Sequence, residues 1–451
     1  MDTEEACSTS TTVGPMTTLL PARPHGLRNL VLAVASLILL AAACGGSDSS
    51  SEAVAPAPPT AEPTAAPTAE PTPAPTAEPT AAPTVEPTPA PTAEPTASAE
   101  VDEEVSDDAG PSSSDFGERG PYGVGVRTQS LQDRDVEIWY PVEPGAVVGQ
   151  TPEIFDALSV FPQDLRAIVP PELAGEYDTL AVREAAAIAG DFPVVIYGHG
   201  FGGYREIATH FTSHLASWGF VVASTDHLER GIAEQTLDLI GGGLFDETNS
   251  RPDAAVDDVR NTIELLRELD ADGPLAATMN VDELVISGHS AGAFAAVQAA
   301  ASEPDLIDGW ISISGGTTEG LELTQPGLVI IGELDAVVPA ERSYELYESV
   351  TVPRVLLNIE GAGHNSFTDP CRGILDLGGL EALTALLGEE QVARAEDGCT
   401  LESTEPETAQ AMVNQVTIAW LNDLFGVPVD GDPLAEDVIA ALGPVADYRS
   451  D

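Results

Sequence analysis

From residue 194 onwards, short apolar runs alternate with longer amphipathic stretches, and this alternation constrains the fold more than any other feature of the chain. The runs predict strands at residues 194–197, 220–224, 284–287, 310–313, 328–331 and 354–359, the last being the final strand. The stretches predict helices at residues 207–218, 254–269, 292–301, 341–349 and 408–425, the last closing the fold. Such alternation favours a mainly parallel sheet with helices on both faces. The sequence therefore predicts an α/β domain whose functional residues lie at the carboxyl ends of strands.

Three further segments lie outside this repeat. Residues 123–131 and 136–140 read as two strands around a polar turn, which predicts an N-terminal antiparallel hairpin. Residues 145–190 and 365–403 fit neither strand nor helix in the repeat. We interpret them as insertions that either shape a substrate cleft or decorate the periphery.

The apolar residues 30–43 follow Arg23 and Arg28 and end at Cys44. This segment is too short to cross a bilayer comfortably and is typical of a secretory signal peptide. The small residues before Cys44 resemble a bacterial lipobox, whose cysteine becomes lipidated. We expect residues 1–43 to be removed and Cys44 to anchor the protein to the outer face of the cell membrane, with plain secretion as the alternative.

Residues 47–114 consist of four-residue units such as Ala-Glu-Pro-Thr, with almost no bulky side chain. A segment of this composition cannot form a core, and frequent proline favours extended conformations. We therefore expect residues 44–115 to be a disordered tether. Residues 116–451 remain as a single domain.

Acidic residues dominate the charge of the chain. Asp and Glu number 74 against 17 Lys and Arg, which gives a formal net charge of -57. Such a surface repels nucleic acid phosphates and anionic membranes, so we expect no nucleic acid partner and no membrane contact other than the lipid anchor. Neutral substrates are favoured.

Cys371 and Cys399 are the only cysteines after Cys44. Exported proteins meet oxidising conditions, in which cysteines of a folded domain form disulfides. Export therefore predicts a disulfide between Cys371 and Cys399.

The sharpest motif is Gly288-His289-Ser290-Ala291-Gly292, which connects an apolar strand to an alanine-rich helix. This context predicts a nucleophile elbow, a tight turn that holds Ser290 above the sheet. Gly288 and Gly292 leave room that a side chain would fill. The start of the following helix favours developing negative charge.

A serine needs a base to take its proton, and the base needs an orienting acid. His364 lies in a glycine-rich turn after the predicted last strand, and Asp335 follows the strand before it. Glu333 is the rival acid, but Asp335 has the expected loop register. The predicted triad is Ser290, Asp335 and His364, which requires neither a metal nor a cofactor.

Acyl transfer also needs hydrogen-bond donors for an oxyanion. The sequence Tyr197-Gly198-His199-Gly200-Phe201-Gly202-Gly203 follows a predicted strand, and Gly200 is one of its loop glycines. We expect the backbone N–H groups of Phe201 and Ala291 to form the oxyanion hole. A phosphate cradle is the alternative, but the loop lacks the Gly-x-Gly-x-x-Gly spacing and a P-loop lysine.

Four segments carry a family resemblance: residues 192–200, 218–223, 288–292 and 363–367. Together they resemble the serine esterases of the α/β-hydrolase fold, nearest to the platelet-activating factor acetylhydrolase and dienelactone hydrolase-like proteins. Bacterial cutinase-type polyester hydrolases are close behind. The first likeness implies removal of short acyl groups, and the cutinase likeness implies an open groove for lipid or polyester esters. Dienelactone hydrolases use cysteine where this chain has Ser290, so lactone hydrolysis is not expected.

The sequence thus predicts a monomeric serine carboxylester hydrolase acting through an acyl-enzyme on short- to medium-chain, lipid or polyester esters. Two alternatives stay open. A catalytically silent hydrolase fold could serve as a surface binding module, and a serine peptidase or acyltransferase would share the chemistry up to the acyl-enzyme.

Overall fold

The computed structural model describes residues 116–451, except residues 162, 167–174, 241–251, 317–319, 352, 382–383 and 385–387. The predicted signal peptide, Cys44 and the tether lie outside the described residues.

Ten of the twelve strands among the described residues form one mixed sheet. In chain order, the twelve are β1 Gly123–Leu131, β2 Arg134–Val142, β3 Ile154–Asp156, β4 Glu176–Asp178, β5 Val182–Arg183, β6 Phe192–Gly198, β7 Val221–Thr225, β8 Met279–His289, β9 Gly309–Ile313, β10 Gly327–Gly332, β11 Arg354–Ile359 and β12 Val445–Ser450. Their order is β12-β11-β10-β9-β8-β6-β7-β2-β1-β5, while β3 and β4 form a separate pair. The six neighbours from β7 to β11 are parallel. Their carboxyl ends therefore meet at one edge, where sites of α/β sheets lie.

Helices cover both faces of this sheet. They are α1 Pro144–Val147, α2 Gln163–Arg166, α3 Thr209–Ser217, α4 Ile232–Ile240, α5 Pro252–Asp272, α6 Ala291–Ser302, α7 Ala340–Ser349, α8 Pro370–Leu377, α9 Glu389–Glu396, α10 Pro406–Leu424 and α11 Glu436–Ala440. Helices α3 and α10 pack on one face, and α5, α6 and α7 on the other. Successive residues of β6 enter opposite cores, as the pleat of a strand requires. This architecture is compatible with the predicted α/β class.

The strand predicted at residues 354–359 and the helix predicted at 408–425 are present, but the prediction that they are the last strand and the closing helix is wrong. Strand β12 follows both and pairs antiparallel with β11. It has no fully buried residue. An edge strand of this kind needs no apolar run, which explains why the hydrophobic pattern does not reveal it.

The two insertions have structure of their own. In the first, β5 adds a parallel edge strand to β1, which itself pairs antiparallel with β2. The second contains α8 and α9 after a 3-10 turn at His364–Phe367. Within the described part of the chain, no helix combines the length and hydropathy needed to span a bilayer.

Candidate active site

Ser290 occupies a strained turn between β8 and α6. Its φ of 56° and ψ of -122° lie in a region that residues with a side chain rarely adopt. The Ser290 N–H donates to the carbonyl oxygen of Ile313 at 2.9 Å, which ties the turn to the neighbouring strand. The residue is half-buried while its neighbours on β8 are buried. The turn therefore presents one hydroxyl at the carboxyl edge of the sheet.

Three glycines allow the backbone to approach this turn closely. A Cβ atom on Gly292 would collide with the carbonyl oxygen of Gly198, and one on Gly288 with the carbonyl of Gly292. A Cβ atom on Gly200 would lie 3.0 Å from the Cβ of Ser290. The loop after β6 thus lies directly against Ser290.

His364 and Asp335 form a buried pair after β11 and β10. The Nδ1–H of His364 donates to Oδ2 of Asp335 at 2.8 Å, since a carboxylate only accepts. The side chains are 6% and 0% exposed. The second oxygen, Oδ1, accepts the N–H groups of Val337 at 2.9 Å and Val338 at 2.7 Å. The carboxylate is held from both sides, and it fixes the tautomer that leaves Nε2 of His364 able to accept a proton.

Glu333, the rival acid, lies elsewhere. It is exposed, and its carboxylate accepts the N–H of Gly361 at 3.0 Å. The structure therefore pairs His364 with Asp335.

His289 connects the serine turn to the histidine loop. Its Nε2–H donates to the carbonyl oxygen of His364 at 2.8 Å, and the two rings lie 4.7 Å apart between centroids. Burial, followed by the nearby His364, lowers the pKa of His289 to about 3, so its ring is neutral. The sequence places His289 beside Ser290 but does not predict its contact with His364. Its place inside the motif was the available signal.

The loop after β6 is held by its own histidine. Nδ1–H of His199 donates to the Gly200 carbonyl oxygen at 2.8 Å, and Nε2 accepts the N–H of His227 at 3.0 Å. Burial lowers the pKa of His199 well below its ordinary value. A neutral ring satisfies both bonds, which tie the loop to the segment after β7.

Arg230 supports the same loop and was missed by sequence reasoning. Its Nε–H donates to the His199 carbonyl oxygen at 2.9 Å, and its own carbonyl oxygen accepts the Gly202 N–H at 2.7 Å. The side chain is 2% exposed, and burial lowers its pKa to about 10. No local sequence pattern predicts that this arginine is buried.

The predicted oxyanion donors lie on the two segments that meet at Ser290. Ala291 is the first residue of α6, where backbone N–H groups have no acceptor within the helix. Phe201 follows Gly200 in the loop that lies against Ser290.

A pocket of about 140 Å³ borders this loop. Gly203, Ile232 and His227 line it together with Ser159 and Val160 of the first insertion. The first insertion therefore contributes to a cavity beside the loop, which agrees with a role in shaping a cleft.

The predicted disulfide is confirmed. Cys371 and Cys399 are bonded, with their Cα atoms 5.1 Å apart, and both are buried. The bond joins the two ends of the second insertion close to the His364 turn. In the described residues, no group of three or more His, Cys, Asp or Glu side chains is arranged to hold a metal ion.

The chain matches a known family over part of its length. Residues 156–238 match the model for platelet-activating factor acetylhydrolase, isoform II. This segment contains the loop of His199 and Gly200 and ends before Ser290. No curated protein sequence matches the chain. Over these residues, the match confirms the likeness to platelet-activating factor acetylhydrolases predicted from the motifs.

Proposed function

We propose that this chain is a serine carboxylester hydrolase that works through an acyl-enzyme. One observation carries the proposal: His364, which is paired with buried Asp335, has its backbone bonded to His289, the residue before a serine in a strained strand-to-helix turn. The order of serine, acid and histidine along the chain is that of α/β-hydrolases.

The first half of the reaction forms the acyl-enzyme. The Ser290 oxygen attacks the ester carbonyl carbon while Nε2 of His364 takes the hydroxyl proton. Asp335 keeps the ring oriented and stabilises the imidazolium. When the tetrahedral intermediate collapses, the bond to the alcohol oxygen breaks and His364 returns the proton to that oxygen. A water molecule, deprotonated by His364, then attacks the acyl carbon. When this second intermediate collapses, the bond to the Ser290 oxygen breaks, His364 returns the proton to that oxygen, and the acid is released.

The oxyanion of each tetrahedral intermediate would accept the N–H groups of Phe201 and Ala291. Arg230 and His199 donate hydrogen bonds to carbonyl oxygens of the loop that carries Phe201. Donors arranged in advance stabilise the developing charge without reorganising during the reaction.

The substrate is an uncharged ester of a small molecule or lipid. The family match supports hydrolysis of esters, and the net charge of -57 disfavours anionic polymers. Short- to medium-chain, lipid and polyester esters all remain within this proposal. No step needs a metal or a cofactor.

Hydrolysis of p-nitrophenyl acetate, butyrate and longer esters tests the proposal. Wild type should turn over at least one of them, and Ser290→Ala should not. Ser287→Ala, which changes a buried serine on β8, the strand that leads into the Ser290 turn, is the matched control and should keep its activity. Turnover by Ser290→Ala would contradict the mechanism, and no turnover by wild type would favour the silent binding module. Cleavage of peptides alone would favour a peptidase.

We also propose that a lipidated Cys44 anchors the domain to the outer face of the membrane. The apolar segment 30–43 and the small residues before Cys44 support this. Labelling of growing cells with an alkyne fatty acid should mark wild type but not Cys44→Ser. Labelling of both would contradict the assignment.

A further inference from the structure

A second carboxylate, Asp397, contacts both loops that carry the His364–Asp335 pair. Its Oδ1 accepts the N–H of His364 at 2.8 Å, and its Oδ2 accepts the N–H of Ala336 at 2.9 Å. Its backbone carbonyl oxygen accepts the N–H of Asn365 at 2.8 Å. One residue thus bonds to the histidine, to the residue after the histidine and to the residue after the acid.

These contacts complete the support of His364. The backbone N–H is bonded to Asp397, the carbonyl oxygen to His289, and the ring to Asp335. With the peptide groups held on both sides of the Cα atom, the direction of the ring depends on Asp397 as well as on Asp335. An ionised acceptor forms stronger bonds to N–H groups than a neutral one does.

The second insertion holds Asp397 in place. A Cβ atom on Gly363 would lie 2.5 Å from the N atom of Gly398, so the histidine turn and this segment are in direct backbone contact. Ser366 accepts the Gly363 N–H at 3.0 Å and donates to the Gly398 carbonyl oxygen at 3.1 Å. Gly398 has a φ of 84°, which favours glycine, and Cys399 follows it in the disulfide.

We propose that Asp397 is a positioning residue for the pair and that the disulfide-closed insertion serves to present its carboxylate to the two loops. This inference rests on the proposed function. In the proposed reaction, Asp397 touches no reacting atom. The residue acts by keeping the His364 ring and the Asp335 carboxylate in register, and small displacements of such groups reduce rates strongly.

Asp397→Asn tests the role with little change in shape. An amide has one acceptor oxygen, so one of the two N–H groups would face an NH₂ donor. We expect kcat to fall about 10- to 100-fold while KM changes less than about twofold. Glu396→Gln is the matched control, because this neighbouring carboxylate bonds the N–H of Leu380 and neither of the two loops. The control should keep its kcat.

A spectroscopic readout separates this inference from the proposed function. In proton NMR, the Nδ1–H of His364 bonded to Asp335 should give a downfield resonance, assigned by its loss in His364→Gln. It should shift or broaden in Asp397→Asn and stay unchanged in Glu396→Gln, whether or not esters are hydrolysed. An unchanged resonance in Asp397→Asn, or an unchanged kcat in an active enzyme, would overturn the positioning role. If wild type hydrolysed no ester while the resonance still responded to Asp397→Asn as expected, only the proposed function would be contradicted.

Discussion

Two buried histidine–carboxylate pairs lie at the carboxyl edge of the sheet and differ in what surrounds them. His364 bonds Asp335 after β11, and His227 bonds Asp258 after β7, both at 2.8 Å from Nδ1 to the carboxylate. Side-chain exposure is 6% and 0% in the first pair and 5% and 8% in the second. Distance and burial alone do not separate them.

The carboxylates do differ in their other partners. Asp335 accepts two backbone N–H groups, whereas the Asp258 oxygen that bonds His227 also accepts Nη1 of Arg134 at 2.7 Å. Burial raises the pKa of Asp258 to about 6 and lowers that of His227 well below its ordinary value. The His364 backbone is bonded to the residue before Ser290, while the His227 backbone N–H bonds His199 in the supporting loop. The first pair is therefore tied to the serine turn, whereas the second is tied to the supporting loop.

Replacement of the two histidines should separate the pairs most strongly. His364→Ala removes the proposed base and should lower kcat by about 10⁶-fold, as loss of a triad histidine does in serine hydrolases. His227→Ala should stay within about tenfold of wild type, because its ring takes no part in the proposed proton transfer. Steady-state ester hydrolysis measures both. Equal losses in the two variants would contradict the distinction.

The acids should follow the same pattern with a smaller effect. Asp335→Asn should lower kcat by about 10⁴-fold, because an amide facing the ring favours the wrong tautomer. Asp258→Asn keeps the shape of the other pair and should leave kcat within about tenfold. Circular dichroism should show that both variants are folded. A loss in Asp258→Asn as large as that in Asp335→Asn would place the second pair in the mechanism.

Arg230 lies between the second pair and the proposed oxyanion hole. Arg230→Lys keeps a positive charge but cannot reproduce the planar donor at the His199 carbonyl oxygen, so kcat should fall by about tenfold with KM nearly constant. Arg205→Lys is the control, because this arginine is paired with Asp226 and Glu206, and it should keep its kcat. A rise in KM without a change in kcat would contradict a role in the loop.

The smallest expected effect concerns stability. His227 is neutral when folded, and the unfolded chain takes up its proton first as the pH falls below the ordinary value of 6.5. The free energy of unfolding therefore falls as the pH drops below this value, by about 1 kcal/mol between pH 6.5 and 5.5. In urea unfolding, the free energy of unfolding should fall less between these pH values in His227→Gln than in wild type. Identical losses would mean that His227 does not carry this dependence.

Features of the fold and site that depend on neighbouring residues could be predicted, and those that depend on distant contacts could not. The elbow around Ser290 follows from a strand, a glycine spacing and a helix start within a few residues, all visible in the chain. Asp335 and His364 follow from the order of strands along the parallel sheet. Asp397 and Arg230 act through contacts with distant loops, so no local pattern marks them. The edge strand β12 was missed because its pairing does not depend on an apolar run.

Covalent labelling tests the central claim most directly. A fluorophosphonate reacts with a serine whose proton is taken by a neighbouring base, so the account predicts one adduct per chain, located by mass spectrometry on the peptide that contains Ser290. His364→Ala should react far more slowly, and His227→Ala at nearly the wild-type rate. Absence of the adduct, its location on another residue, or equal rates in wild type and His364→Ala would contradict the account.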